Sequence, residues 1–138
     1  MAAEFNPHDC IFHLLAKAAK SGARFWKEAT ADLGLTAVQG KVLNFIYISG
    51  EITASELSTQ AAVDNATLTG VLDRLESMKI VQRHAKSDDR RAVLIRLTEQ
   101  GQVLAKEVYQ RVQPANESFL KDLSGAETAM LRDLLKRF

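Results

Sequence analysis

The stretch from Thr53 to Leu97 constrains the fold of this chain most, because two helical patterns are followed there by two strand-like runs. Thr53 and Glu56 have the spacing of a capping box, which predicts the start of a short helix. Asp64 can cap a second helix, since a carboxylate accepts a backbone N–H and meets the positive end of the helix dipole. Residues 80–84 and 93–97 are rich in Val, Ile and Leu and predict two strands. The stretch therefore predicts helix, turn, helix and a two-stranded ribbon.

The second helix, predicted over Asn65 to Ser77, has two contrasting faces. Apolar side chains fall on one face at helical spacing: Leu68, Val71, Leu72, Leu75 and Met78. The opposite face carries small or short polar side chains: Ala66, Thr69, Gly70, Asp73 and Ser77. Such a face suits close approach to another surface, for example to DNA base edges. An ordinary solvated face has the same pattern.

Positive charge is concentrated on the predicted ribbon. Residues 79–96 contain six Lys or Arg and two Asp, a net charge of +4, whereas the remainder of the chain carries −3. A local basic surface of this kind is expected where a protein approaches phosphates. The chain as a whole has a formal net charge of only +1, which does not by itself indicate a nucleic-acid partner.

Three motifs in order resemble the MarR family of winged-helix transcription regulators. They are Leu-Asp-Arg-Leu-Glu at 72–76, Asp-Asp-Arg-Arg-Ala-Val at 88–93 and Leu-Thr-Glu-Gln-Gly at 97–101. The resemblance extends from about Ile11 to Phe138. One departure is Lys79, where the family usually has a Gly that relieves the positive φ at a helix stop.

The resemblance implies a mainly α fold, a winged helix-turn-helix with a two-stranded β wing and N- and C-terminal dimerisation helices. We expect a single MarR-type domain over 1–138, with a DNA-binding lobe at 35–98 and dimerisation helices at 8–34 and 99–138. The apolar stripes of a first helix, predicted over Asp9 to Asp32, and of the last segment exceed what a small winged-helix core needs. By the resemblance they form the interface of a homodimer; packing of the first helix within the monomer is the alternative. Pro114 lacks a backbone donor and predicts a kink or an end of its helix near 110–113.

By the same resemblance, each subunit of a dimer places its second helix in a major groove, and the pair reads a palindrome in double-stranded DNA. In the family the wing arginine, matched here by Arg90, reaches the minor groove. An aspartate of the second helix holds it by a salt bridge, and Asp73 occupies that helix position. Asp89 is expected to order the wing loop. The expected DNA contacts are Asn65, Thr67, Thr69, Arg74, Lys86, Arg90 and Arg91.

Relatives in this family often bind small aromatic acids between the dimerisation helices and the DNA-binding lobe. Cationic or amphipathic residues that could serve such a pocket are His13, Lys17, Arg24 and Trp26. Cys10 is a candidate redox sensor, although a structural thiol is the simpler interpretation. His8, Cys10 and His13 match no strong zinc pattern, so no metal or other cofactor is expected. The expected function is a repressor; the alternatives are a redox- or metal-responsive sensor and a winged-helix protein-interaction module without DNA binding.

Other functional classes find no support in the sequence. There is no Gly-rich phosphate loop, His-Glu-x-x-His pattern or nucleophile elbow, so an enzyme is not expected. No apolar run reaches about 18 residues, which predicts no membrane span. A single Cys and the absence of a visible secretory signal predict a cytoplasmic protein.

Overall fold

The computed structural model describes residues 4–86 and 89–138, and at residues 86 and 89–91 it describes the main chain only. Six α-helices and three strands follow one another in the described residues. They are α1 Ile11–Ala29, α2 Ala37–Ser49, β1 Glu51–Thr53, α3 Ala54–Ala61, α4 Asn65–Ser77, β2 Val81–Lys86, β3 Asp89–Leu97, α5 Glu99–Phe119 and α6 Gly125–Leu135. The mainly α winged helix-turn-helix predicted from the sequence is confirmed.

Side-chain caps start five of the described α-helices, and those at Thr53 and Asp64 are as the sequence predicts. Thr36, Thr53 and Ser124 each form a complete capping box with the residue three positions later. Asp64 caps α4 and Thr98 caps α5. Each cap gives a partner to backbone N–H groups that a helix leaves unpaired, so the boundaries are fixed locally.

The sheet contains one strand more than predicted. In the described residues β3 is central, pairing antiparallel with β2 on one side and β1 on the other. Ile52 lies opposite Ile95, and both side chains are buried. Strand β1 was not predicted, because a run of three residues has too little periodicity to indicate a strand. Only its pairing with β3 stabilises it.

One core lies beneath the helix-turn-helix and the sheet. Its fully buried side chains include Val42, Leu43 and Ile46 from α2, with Leu57 and Ala61 from α3. From α4 and the sheet it takes Leu68, Leu72, Leu75 and Ile95. Ile48, near the end of α2, lies outside this core and is 68% exposed.

Two helix boundaries differ from the predictions. The first helix was predicted over Asp9 to Asp32, but α1 spans Ile11–Ala29 and is flanked by 3₁₀ turns at Pro7–Asp9 and Ala31–Leu33. Pro114 was predicted to kink or end its helix; it does not end it, because α5 continues to Phe119.

Contacts on both sides of Pro114 hold α5 together. Val108 is completely buried before it, and the Asn116 amide donates to the Val112 carbonyl at 2.8 Å after it. Phe119 packs edge-on against Phe25 of α1 with ring centroids 5.2 Å apart. These contacts offset the one backbone hydrogen bond that proline cannot make.

Candidate nucleic-acid interface

The first turn of α4 is fixed by Asp64. Its carboxylate accepts the Thr67 backbone N–H at 2.8 Å and the Thr67 hydroxyl at 2.7 Å. These two hydrogen bonds hold the pKa of the Asp64 carboxyl below its ordinary value, so the cap stays ionised at neutral pH. Thr67 was predicted as a DNA contact; its hydroxyl hydrogen is committed to the cap.

The two faces of α4 are as the sequence predicts. Leu68, Val71, Leu72 and Leu75 are buried, whereas the residues of the opposite face are exposed. The hydroxyl of Thr69 donates to the Asn65 carbonyl at 2.8 Å. No heavy atom of the described residues lies within 4 Å of the position that a Cβ on Gly70 would take. The face is therefore low in relief, and a groove of DNA can approach its backbone closely.

Arg83 of β2 connects the wing to α4. Its guanidinium donates Nη2 to Asp73 Oδ1 at 2.8 Å and Nη1 to Glu76 Oε2 at 2.7 Å. Asp73 was expected to hold Arg90, whose side chain lies outside the described residues. Among the described residues, the partner of Asp73 is Arg83. This contact could not be predicted from the sequence, because ten residues separate Arg83 from Asp73 and Arg83 was counted only as ribbon charge.

Arg83 therefore contributes less to attracting phosphates than the net charge of the ribbon suggests, since two carboxylates neutralise it. Arg96 lies 3.8 Å from Glu51 and is partly neutralised as well. Arg74 projects from α4 into solvent and forms no ion pair with another described residue. The side chains of Lys86, Asp89, Arg90 and Arg91 lie outside the described residues, so their predicted roles stay predictions.

The junction between α4 and the wing is a Schellman motif centred on Lys79. Lys79 has φ = 60°, a left-handed conformation. A positive φ was expected at this position because the family usually has glycine there. The Lys79 N–H donates to the Glu76 carbonyl and the Ile80 N–H to the Leu75 carbonyl, each at 2.9 Å. The Thr98 hydroxyl donates to the Lys79 carbonyl at 2.6 Å. The wing is thus anchored at its base from both sides.

A cleft of about 590 Å³ lies behind the helix-turn-helix. Its walls are largely apolar and come from α1, α2, α5, the turn before α4 and the start of α4 itself. Trp26 lines it and donates its indole N–H to the Ala37 carbonyl at 3.1 Å. His13, Lys17 and Arg24, which were predicted with Trp26 as effector residues, are not among the residues that line this cleft.

The candidate redox residue Cys10 and the two histidines near it in sequence lie at the other end of α1. Cys10 is half-buried immediately before this helix, and the rings of His8 and His13 meet edge to face, 6.0 Å apart. Within the described ranges, no three His, Cys, Asp or Glu side chains come together as metal ligands. Nor does any helix there have the length and apolarity to cross a membrane.

A helix-turn-helix with an exposed recognition face, followed by an antiparallel wing, defines a winged-helix protein of the DNA-binding class. The sequence profile of the MarR family matches residues 35–93. The transcriptional repressor NicR of Pseudomonas putida is 30% identical over 135 residues, which cover 96% of this chain and 85% of NicR. The chain belongs to the MarR family of transcription regulators, which are DNA-binding proteins and not enzymes.

Solved structures agree over nearly the whole chain. The crystal structure of a cysteine-to-serine mutant of MarR from E. coli with operator DNA matches with a TM-score of 0.87 and 34% identity, covering 99% of this chain and 98% of that one. BpsR of Bordetella bronchiseptica, whose DNA binding is regulated by 6-hydroxynicotinic acid, matches with a TM-score of 0.91 and 27% identity, covering 98% and 96%. Family membership favours DNA binding over the alternative of a protein-interaction module.

Proposed function

We propose that the protein is a homodimeric repressor in the cytoplasm that binds a palindromic operator. In this proposal residues 35–98 form the DNA-binding lobe, while 8–34 and 99–138 supply the dimerisation helices. The observation that carries the proposal is the exposed, low-relief face of α4 beside a wing that Arg83 fixes to the same helix.

The proposed contacts follow from what each side chain still has to offer. Asn65 and Thr69 are exposed near the start of α4, so we assign them to base edges. The Thr69 hydroxyl already donates to the Asn65 carbonyl, so it is assigned as an acceptor only. Arg74 is assigned to a phosphate because it is charged and flanks that face. Lys86, Arg90 and Arg91 are assigned to the wing contact with DNA, with Asp89 ordering the loop. Thr67 is assigned to the cap, through which it orients Asn65.

A second copy of the chain is the proposed partner of the two terminal helices. Neither α1 nor α6 has a buried residue in the single chain. Large apolar side chains are exposed near both termini: Ile11, Phe12, Leu14, Leu15, Met130, Leu134, Leu135 and Phe138. Surfaces of this size and apolarity on a small protein are typical of obligate dimer interfaces.

Sedimentation equilibrium tests the dimer. A glutamate at Leu134 would bury a charge in the proposed interface, so Leu134→Glu should shift the protein towards monomer. Thr59→Glu, at an exposed position of α3, is the matched control and should stay dimeric. A wild-type protein that is monomeric at micromolar concentration would exclude the proposed dimer.

DNA binding is tested by anisotropy with the protein's own upstream region over a range of salt concentrations. The logarithm of the affinity should fall linearly with the logarithm of salt, because each phosphate contact releases counterions. Arg90→Ala should weaken binding and make the slope shallower by about one unit. Lys121→Ala removes the same charge from an exposed site between α5 and α6 and should leave the slope unchanged. Equal slopes for both variants would remove Arg90 from the interface.

We also propose that a small aromatic acid releases the operator by binding in the cleft. BpsR, a structural neighbour, is regulated by such an acid. The cleft offers the flat apolar surface of Trp26 and the cationic Lys41. Asn44 lines it too, and its amide oxygen is buried without a hydrogen-bond partner among the described residues. A ligand with a hydrogen-bond donor could satisfy that amide, which would otherwise cost about 1–3 kcal/mol.

Trp26 is the single tryptophan of the chain, so its fluorescence reports on the cleft. Titration with 4-hydroxybenzoate should quench it, and benzoate, which lacks the hydroxyl donor, should bind more weakly. In Asn44→Ala the preference for the hydroxylated acid should disappear. If neither acid changes the fluorescence or the operator affinity at millimolar concentration, this class of effector is excluded.

A further inference from the structure

The cleft is bounded by two parts of the molecule that have different roles. Gly22, Ala23 and Trp26 of α1 and Val112 of α5 line one side. The other side is formed by α2, the turn Ala62–Val63 and two residues of the α4 start, Asp64 and Thr67. An occupant of the cleft therefore lies directly against the residues that set the direction of the recognition helix.

The turn next to the cleft is strained and held by several hydrogen bonds. Ala62 has φ = 50°, a left-handed conformation that is unfavourable for a residue with a Cβ. The Ser58 hydroxyl donates to the Val63 carbonyl at 2.7 Å, and the Val63 N–H donates to the Ser58 carbonyl at 3.1 Å. Strained backbone persists only where its surroundings hold it, so the conformation of this turn depends on the groups packed around it, which include the walls of the cleft.

Thr67 joins the cleft to the cap. Thr67 is among the residues that line the cleft, and its hydroxyl donates to Asp64 Oδ2 of the cap at 2.7 Å. Asn65 and Ala66 lie between these two residues in the sequence and are exposed on the DNA side. A displacement of the Thr67 hydroxyl would therefore be transmitted to the first turn of α4 within the same subunit.

We propose that the cleft ligand controls DNA binding through the Asp64–Thr67 cap, locally in each subunit. This inference rests on the effector site proposed above. The capped turn and the displaced turn are the two states, and a ligand shifts them only by binding one better than the other. Because coupling between two binding sites is reciprocal, operator DNA must weaken ligand binding by the factor by which ligand weakens DNA binding.

The test compares Thr67→Val with wild type in the full-length protein. Valine keeps the shape of the side chain and the backbone N–H bond to Asp64 but removes the hydroxyl. Trp26 fluorescence gives the affinity for 4-hydroxybenzoate, and anisotropy gives the operator affinity with and without that acid. The coupling factor is the ratio of the two operator affinities, which is typically 5- to 150-fold. We expect Thr67→Val to bind the acid but to lose at least three quarters of the coupling factor.

Two further variants make the result specific. Thr67→Ser restores the hydroxyl and should restore the coupling factor, which also shows that the site tolerates substitution. Thr59→Val removes a threonine hydroxyl from α3, at a residue that does not line the cleft, and should leave the coupling at the wild-type value.

The outcomes separate this inference from the effector proposal. If Thr67→Val binds the acid and keeps the full coupling factor, the cap route is overturned and the effector site stands. Equal loss of coupling in Thr67→Val and Thr59→Val would also overturn it. If wild type does not bind the acid at all, the effector proposal fails and this inference fails with it.

Discussion

Gly101 is the position where the wing and α5 come closest, and its replacement by alanine gives the sharpest prediction about the fold. A Cβ at Gly101 would lie 2.0 Å from the Ile80 carbonyl oxygen and 3.0 Å from its carbon. The oxygen belongs to the backbone, so no side-chain rotation relieves the overlap. Either α5 or the base of the wing must move by about 1 Å to reach a normal contact.

The cost of Gly101→Ala follows from that overlap and from the bonds around it. Overpacking of a rigid site costs about 1–3 kcal/mol. The displacement also strains the Thr98 N–H bond to the Ile80 carbonyl at 3.0 Å, whose loss would add about 0.5–1.5 kcal/mol. We expect the free energy of unfolding to fall by about 3 kcal/mol, a large part of the 5–15 kcal/mol that is usual for a domain.

Urea unfolding followed by circular dichroism measures this loss, at one fixed protein concentration because a dimer's stability depends on it. With a slope of about 2 kcal/mol/M, the midpoint should fall by about 1.5 M. Gly125→Ala, at the first position of α6 where a Cβ would meet open space, is the control and should not lower the urea midpoint. A Gly101→Ala midpoint within about 0.3 M of wild type would refute the close approach of α5 to Ile80.

Three further variants test the C-terminal end of α4, its exposed face and the Asp32–Arg111 ion pair. Lys79→Gly should raise the free energy of unfolding by about 0.5–1 kcal/mol, because relief of the left-handed strain exceeds the added chain entropy of glycine; an unchanged urea midpoint would contradict it. Gly70→Ala should raise the free energy of unfolding by up to about 1 kcal/mol, since alanine favours a helix and the added methyl meets only solvent in the free protein. The same variant should weaken operator binding in anisotropy, because the methyl lies on the face proposed to approach DNA. The hydrogen bond from Arg111 lowers the pKa of Asp32 below its ordinary value of 3.8. The ionised carboxylate therefore stabilises the fold at pH values above 3.8, and this stabilisation is lost as the pH falls through the lowered pKa. Thermal melts should therefore place Asp32→Asn below wild type at pH 7, with the difference shrinking as the pH falls below 3.8; a constant difference would disprove the linkage.

The local features of this fold could be predicted because the residues that cause them are neighbours in sequence. Each capping box joins two side chains three residues apart, and the buried and exposed faces of α4 follow from its period. The predicted range of α4, Asn65 to Ser77, is the observed one. The strain at Lys79 could also be anticipated, because a helix stop needs a residue in the left-handed conformation.

Contacts between distant residues escaped prediction. Strand β1 exists because Ile52 pairs with Ile95, more than forty residues away, and three residues carry no pattern of their own. Continuation of α5 past Pro114 depends on packing against α1. The two carboxylates that bind Arg83 lie on α4, so a count of ribbon charge could not show that this arginine is neutralised.

The central claim is that the start of α4 enters DNA in two copies, and cleavage by a tethered iron chelate tests it most directly. Ala66→Cys in a Cys10→Ser background places the chelate on the exposed side of α4, and Lys136→Cys in the same background places it just beyond the end of α6. With the chelate at residue 66, we expect cleavage of the upstream region at two positions about one helical turn apart. Cleavage no stronger from residue 66 than from residue 136 would contradict the claim.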